Sequence, residues 1–262
     1  MTTMRDTSRR RERIVSMLKD KGSVQVPELA EMFDVSTVTI RKDLKFLDKQ
    51  GIAMRAYGGA ILNDANLTVA EKAIEQKQSL HAVEKSSIGK MAAQLVEAGD
   101  SIILDSGTTT LQIATHLADK EGVTVVTNGL NVMNELAHHE HLNLLMLGGT
   151  LRMKNMSFFG SQAEQALADL HVDKLFLGVD GFHMDRGITT HFEAEALLNR
   201  LMCKAASEVI VVADSSKFGS ICLHKILEPN MVSKVITDNK IPADYRDRLA
   251  RLGVEVIIVD AH

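Results

Sequence analysis

Hydrophobic positions recur along the chain with two different periods, and the change from one to the other divides it. Ile14, Val15 and Leu18 fall at helical spacing and predict a helix over 8–21, capped by Ser8 and stopped by Gly22. Pro27 stands in the first turn of a second helix, PELAEMF, whose Leu29, Met32 and Phe33 share a face. After an Asp34-Val35 turn, Ser36 caps a third helix over 37–50. There Ile40, Leu44 and Leu47 form one apolar stripe and Gly51 is the stop. In IAMRAYGGAIL, Ala53, Arg55 and Tyr57 alternate with Met54 and Ala56 before Gly58-Gly59, the pattern of a short hairpin. Three helices and a hairpin make a winged helix-turn-helix, assigned to residues 1–61.

Residues 62–85 are polar with patchy helical character and read as a linker. From 86 to 262 helical stretches alternate with β-rich runs at 101–105, 123–127, 143–147, 174–179, 208–214, 233–237 and 254–259. Strands alternating with helices predict an α/β domain built on a mostly parallel sheet covered on both faces. No internal repeat or low-complexity tract interrupts it.

Composition narrows the class. Of 262 residues 45% are hydrophobic, 24% charged and only 3 are Pro, as in folded globular proteins. No apolar run approaches the roughly 18 residues of a membrane span, and MTTMRDTSRRRERI lacks the apolar core of a secretory leader, so a cytoplasmic, membrane-free protein is expected. Cys203 and Cys222 form no CxxC pair and are expected as reduced core residues. The net charge of −4 argues against a nucleic-acid partner until it is divided. Residues 1–60 hold 12 Lys or Arg against 8 acids, +4, which leaves −8 for the remainder.

The basic segment also carries the sharpest candidate chemistry. In a helix-turn-helix the second helix of the motif enters the major groove. Ser36, Thr37, Thr39, Arg41, Lys42 and Lys45 are therefore candidate DNA-binding residues, with Arg55 and Tyr57 on the hairpin placed for backbone or minor groove. The bland alternative is a helical domain with a solvated charged face.

In the second domain ILDSGTTTLQIA (103–114) runs from a strand through a small-residue turn into a helix. Such a turn exposes N–H groups and hydroxyls where the helix dipole favours an anion, so Asp105, Ser106, Gly107, Thr108, Thr109 and Thr110 form a candidate phosphate cradle. The alternative is an ordinary strand-to-helix turn capped by Thr110. TNGLN, LGGTLR, GVDGF and ADSSKF end strands in the same way, which adds Asn128, Gly149, Arg152, Asp180 and Lys217 as effector-binding candidates. Lys217 would offset phosphate charge and Asp180 would accept sugar hydroxyls. His138, His139 and His141 match no metal-site spacing, and Glu193 and Glu195, two apart, face different sides of a helix. No metal or cofactor is expected.

RRRERIVSMLKDKGSVQVPELAEMFDVSTVTIRKDLKFLDKQGIAMRAYGGAI, LDSGTTT, TNG, GGTLR, SFFGSQAEQAL, LFLGVDGF, GITT and DSSKF together resemble the DeoR/GlpR family of bacterial transcriptional repressors over nearly the full length. The resemblance implies a winged DNA-binding domain and an effector domain similar to ribose-5-phosphate isomerase. It also implies a homodimer or higher even oligomer on operator DNA, and release by a phosphorylated sugar. SFFGSQAEQAL and GITTHFEAEALLNRLMC look most like the branch concerned with N-acetylgalactosamine and galactosamine use, which favours N-acetylgalactosamine 6-phosphate or galactosamine 6-phosphate as effector. The isomerase likeness supplies a rival, aldose-ketose interconversion. Against it, VDGFH (179–183) keeps Asp180 but lacks the isomerase's second acid, and its Lys-Gly-Gly becomes Arg186-Gly187-Ile188, so no enzyme activity is expected.

Overall fold

A computed structural model describes residues 3–21, 23–49, 52–56, 59–62 and 71–261, and the chain divides into Met1–Ala70 and Glu71–His262. In the first unit α1 (Thr3–Lys21) is followed by β1 (Ser23–Gln25), α2 (Val26–Met32), α3 (Thr37–Lys49), β2 (Ala53–Ala56) and β3 (Gly59–Leu62). Ser8 is not a cap, because α1 begins at Thr3. Residues 3–7 contain neither Gly nor Pro, so nothing in the sequence stops the helix before Ser8. β1, which the sequence pattern did not reveal, pairs with β3 to give an antiparallel sheet in the order β1-β3-β2. Ile14, Leu18, Leu29, Ile40, Leu44 and Leu47 close the core beneath it, so the stripe expected on α3 is the buried one. Ser36 caps α3 as its type suggests, its hydroxyl accepting the Thr39 N–H at 3.2 Å.

The second unit opens with α4 (Ile74–Ser79) and α5 (Ala82–Gln94), so residues 71–85, grouped by polarity with the linker, are built into it. It continues through β4 (Ser101–Leu104), α6 (Thr108–Ala114), β5 (Thr124–Thr127), α7 (Leu130–Leu136) and β6 (Asn143–Met146). A hairpin of β7 (Thr150–Arg152) and β8 (Ser157–Phe159) leads to α8 (Ser161–Ala168) and β9 (Val172–Gly178). Next come β10 (Gly181–His183), β11 (Gly187–Thr190), α9 (Glu193–Ala205), β12 (Ala206–Val212) and β13 (His224–Leu227). The chain closes with β14 (Lys234–Asp238), α10 (Ala243–Arg251) and β15 (Glu255–Val259).

All seven β-rich runs enter one parallel sheet in the order β15-β14-β12-β9-β4-β5-β6. Alternation sends Ile103, Leu175, Leu177 and Val211 to one face, under α8, α9 and α10. Ile102, Leu104, Phe176, Ile210 and Val212 go to the other, under α5, α6 and α7. A smaller antiparallel sheet, β10-β11-β13, and the β7–β8 hairpin were not legible as strands. Strand order reverses between β4 and β9: the chain leaves β4 towards β5 and β6, then returns on the other side. Such a reversal opens a crevice at the carboxyl ends of the strands.

Asp43 is 1% exposed on α3 and accepts from Arg10 and Arg11 of α1, each at 2.7 Å. Asp43→Ala leaves two guanidinium groups facing a hole and should lower the stability of the first unit by about 3 kcal/mol. Chemical denaturation followed through that unit's transition measures this. A loss of only a few tenths would make the pair a surface contact.

Candidate functional site

Two surfaces concentrate the candidate residues, one in each unit. On the first, α3 exposes Thr37, Arg41, Lys42 and Lys45 opposite its buried stripe, with Ser36 exposed and Thr39 half-buried at its start. Among the described residues Arg41, Lys42 and Lys45 make no ion pair, whereas Arg10 and Arg11 are held by Asp43 and the Arg11 guanidinium also lies 3.8 Å from the Phe46 ring centroid. One face of α3 therefore carries three cations, Arg41, Lys42 and Lys45, that make no ion pair among the described residues. Arg55 lies on β2, while Tyr57 falls outside the described residues.

On the second unit the candidates gather at the strand reversal. Asp105 is buried directly after β4, and its Oδ1 accepts the Gly107 N–H at 2.9 Å and the Thr110 hydroxyl at 2.7 Å. Its Oδ2 accepts the Gly178 N–H at 2.9 Å, which ties the turn after β4 to the end of β9. Burial raises the Asp105 carboxyl to about 6 despite these donors. Asp105 and Thr110 thus face inward and shape the turn; Ser106 and Gly107 are its half-exposed members, and Thr108 and Thr109 are nearly covered. Gly107 rather than Thr110 is the N-cap of α6. The turn after β5 packs so closely here that a Cβ on Gly129 would stand 2.8 Å from Ser106 Cα. Asn128 is buried and donates to the Phe158 carbonyl at 3.1 Å. Gly149, with φ of +124°, is required by conformation, since a side chain there would meet the Phe159 carbonyl oxygen at 2.5 Å.

Asp180, just past β9, belongs to a larger network. Its carboxylate binds Lys77 Nζ at 2.7 Å and accepts from the Thr190 hydroxyl at 3.0 Å. Burial opposes ionisation of Asp180, but the Lys77 ammonium outweighs it and lowers the pKa. Thr190 also lies 3.3 Å from Glu195 Oε2, and Glu195 Oε1 accepts from Asn155 at 2.8 Å. Burial raises the Glu195 pKa. One hydroxyl hydrogen cannot serve two carboxylates; when it goes to Asp180, a protonated Glu195 completes the chain by donating to Thr190. Arg152 on β7 grips Glu71 through both terminal nitrogens, 2.5 Å each, and stacks 4.4 Å from the Phe192 ring centroid. His191, with its pKa lowered by burial, has Nε2 3.5 Å from Cys222 Sγ.

Lys217 ends a tight turn after β12 whose fold is set by buried carboxylates. Asp214 accepts the Ser216 N–H at 3.1 Å, and Asp238 accepts the Ser215 N–H at 2.6 Å. The Lys217 ammonium makes no hydrogen bond or ion pair among the described residues, yet its charge is felt by Asp180, His191 and Lys85. Lys85 is itself buried on α5 and donates to the Lys77 carbonyl and, at 2.6 Å, to the Leu80 carbonyl. Burial lowers its pKa to about 8.

Sequence reasoning missed Glu71, Lys77, Lys85, Asn131, Asn155, Thr190 and Glu195. Both amide atoms of Asn131, the Oδ1 atoms of Asn128 and Asn155, the Asp214 Oδ2 and the Thr237 hydroxyl are buried without a hydrogen-bond partner among the described residues. Glu193 is exposed and Glu195 buried, so they are no pair, but Glu195 alone enters the site. The three clustered histidines lie on a surface turn, and no His/Cys/Asp/Glu group among the described residues is arranged to hold a metal. Both cysteines are free, and burial raises each thiol to about 12. No described helix is long and apolar enough to cross a membrane.

Residues 10–66 match a DeoR-like helix-turn-helix domain and residues 80–239 a DeoR C terminal sensor domain. A protein of Escherichia coli O157:H7 named for transcriptional repression of the aga operon is 50% identical over 97% of this chain and 94% of its own. The HTH-type transcriptional repressor GlcR of Bacillus subtilis is 34% identical over 94% of each chain. Among solved structures, ribose 5-phosphate isomerase A from Neisseria gonorrhoeae overlays 52% of this chain and 53% of its own at TM-score 0.38 and 15% identity.

Asp105→Asn tests how the site is held. Whichever way the amide turns, its NH2 faces a backbone N–H, of Gly107 or of Gly178, that is left without an acceptor. The second unit should lose about 2 kcal/mol in chemical denaturation. An unchanged midpoint would show that the pin is dispensable.

Proposed function

The chain belongs to the DeoR family of transcriptional regulators, and on that premise we propose that it represses an amino-sugar utilisation operon and is released from operator DNA by a phosphorylated amino sugar. The observation that carries the ligand class is the Lys217 ammonium, without a hydrogen-bond or ion-pair partner among the described residues, within electrostatic reach of the buried Lys85, which donates to carbonyl oxygens. Strands about 4.8 Å apart bring the turns after β4, β9 and β12 within one ligand's length. A phosphate dianion fits between the two lysines and the Ser106–Thr110 turn. Sugar hydroxyls and the amide substituent meet Asp180, Asn128 and Asn131, whose unfilled hydrogen-bonding atoms they complete. The relative named for the aga operon favours N-acetylgalactosamine 6-phosphate or galactosamine 6-phosphate.

DNA is read by α3. Thr37, Thr39, Arg41, Lys42 and Lys45 address the major groove and its flanking phosphates, and Ser36 holds the start of that helix in shape. One head with so few free cations gains specificity by pairing with a second on a symmetric operator, so the working form is a homodimer or higher even oligomer. Ligand binding then shifts the equilibrium between states of different DNA affinity.

The buried Glu195 beside Asp180 favours a second reading, proton transfer on the bound sugar. Incubating the full chain with hexosamine, hexose and pentose phosphates decides between them, and turnover at an enzyme-like rate would replace the regulatory reading.

Arg41→Ala should weaken operator binding by about 1–3 kcal/mol in gel shifts, with sugar-phosphate affinity intact; equal loss of both would merge the two sites. Lys217→Ala should abolish the ligand's effect on DNA binding while operator affinity persists. Lys85 adds a pH signature. Burial favours its neutral form above about 8, and a bound phosphate favours the ammonium, so binding takes up a proton in that range. Affinity for the sugar phosphate should therefore fall as pH rises through about 8, with proton uptake visible by calorimetry in buffers of different ionisation enthalpy. A flat profile would take Lys85 out of the phosphate site.

A further inference from the structure

Arg152 and Asp180 are already occupied, and both by one short stretch at the start of the second unit. Glu71 accepts two parallel bonds from the Arg152 guanidinium, a third from Asn155 at 3.2 Å, and lies 3.3 Å from Lys154 Nζ. Six residues on, Lys77 holds Asp180. Between these anchors Ile74 is buried and its N–H donates to the Lys154 carbonyl at 3.0 Å, while Lys85 gathers the Lys77 and Leu80 carbonyls. The Glu71 and Arg152 side chains are only 11% and 17% exposed. Paired donation from a guanidinium is how proteins hold a carboxylate or phosphate ligand, so Glu71 sits on Arg152 as a ligand anion would.

We propose that residues 71–79 are a strap closed by self-ligation, with Glu71 occupying the Arg152 guanidinium of the sensor site, and that an incoming sugar phosphate, its dianion held at Lys85 and Lys217, competes with Glu71 for Arg152 through its sugar oxygens and frees the strap. The inference rests on the sugar-phosphate reading above. Its consequence for DNA follows from chain order. Glu71 opens the second unit, so the Arg152 pair anchors the sensor to the chain arriving from the reading unit. Freeing that anchor changes the tether of each head and with it the effective concentration of the second head once the first is bound. Glu71 is suited to the role because the Arg152 and Lys154 cations outweigh its burial and bring its carboxyl down to about 2, so the anion persists at any physiological pH. Lys77 can follow, since Asp180 keeps the Thr190 hydroxyl and gains a ligand hydroxyl in its place.

The test is Glu71→Gln in the full-length chain, with N-acetylgalactosamine 6-phosphate and galactosamine 6-phosphate as titrants. Removing an internal competitor raises apparent affinity by the inverse of the fraction of molecules with Arg152 free. A strap closed nine times in ten gives about a tenfold gain. Merely structural damage would lower affinity, so the sign separates the two roles. Backbone hydrogen exchange over residues 72–79 should rise on ligand addition in the wild type and be high already in ligand-free Glu71→Gln. Should the Gln variant not fold, Glu71→Asp, which keeps the charge but cannot reach both guanidinium nitrogens, should shift both readouts in the same direction. Unchanged or weaker sugar-phosphate affinity, or ligand protection of 72–79, would overturn the strap and leave the sensor reading standing. Absence of binding by wild type and variant alike would overturn the sugar-phosphate reading, and the strap with it.

Discussion

The sensor unit depends on one buried carboxylate at the point where its sheet reverses. β4 and β9 are neighbours, but the turns leaving them diverge, and Asp105 holds both by accepting from Gly107 on one side and Gly178 on the other. Only an acceptor on each oxygen satisfies that geometry. The arrangement costs energy, as the upward shift to about 6 records. In the folded chain Asp105 binds a proton more readily than in the unfolded chain, so its contribution to stability is present in full below about 4 and lost as pH rises through about 6. Near neutral pH the charge is retained against its solvation preference. The return is a turn whose half-exposed Ser106 and Gly107 stand at fixed positions beside the end of β9.

The reading unit uses buried charge differently. Asp43 withdraws Arg10 and Arg11 from the solvent face and turns them into a brace between α1 and α3. A count of basic residues therefore overstates what is free to meet phosphates. The α3 face bearing Arg41, Lys42 and Lys45 makes no ion pair among the described residues, so the helix that would enter the groove carries part of the electrostatic footprint. The positive and negative portions of the sequence are thus rearranged by folding into a braced core and a free stripe.

What could be read from sequence follows from how local each signal is. The seven parallel strands were legible because β-branched runs bounded by turn residues report on themselves, and the α3 stripe because period 3.6 separates Ile40, Leu44 and Leu47 from Arg41 and Lys45. The turn candidates were found because strand ends in a parallel sheet share one edge. Lys85 and Glu195 were missed although their register marks them: Lys85 shares a face of α5 with Ile88 and Ala92, and Glu195 shares one of α9 with Leu198 and Met202. A charged residue on an apolar stripe is a signal a helical count supplies. Glu71 and Lys77 carry no such mark. Their partners Arg152 and Asp180 lie 81 and 103 residues away, and only the tertiary fold turns a polar stretch that looks like linker into part of the site.

The electrical state of the ligand-free site bears on which molecules it can accept. Towards β7 and β11 each acidic group is engaged: Glu71 by Arg152, Asp180 by Lys77 and the Thr190 hydroxyl, and the buried Glu195 by Asn155. Towards α5 and the turn after β12, Lys85 has only carbonyl oxygens and the Lys217 ammonium has no partner among the described residues. The cationic donors left without an ion pair therefore lie at one end, where the buried Asp214 and Asp238 also stand and Asp214 is felt by Lys85. A ligand with a dianion at one end and hydroxyl and amide groups at the other supplies an anion to the two lysines, and Arg152, 3.9 Å from Glu195, keeps an acidic neighbour when Glu71 leaves it. A free sugar leaves both lysines without that anion. On the proposed reading, selectivity for phosphorylated over free sugar belongs to the two lysines. Discrimination among phosphorylated sugars then falls to Asp180, Asn128 and Asn131, where a missing hydroxyl or amide leaves a buried polar atom without a partner.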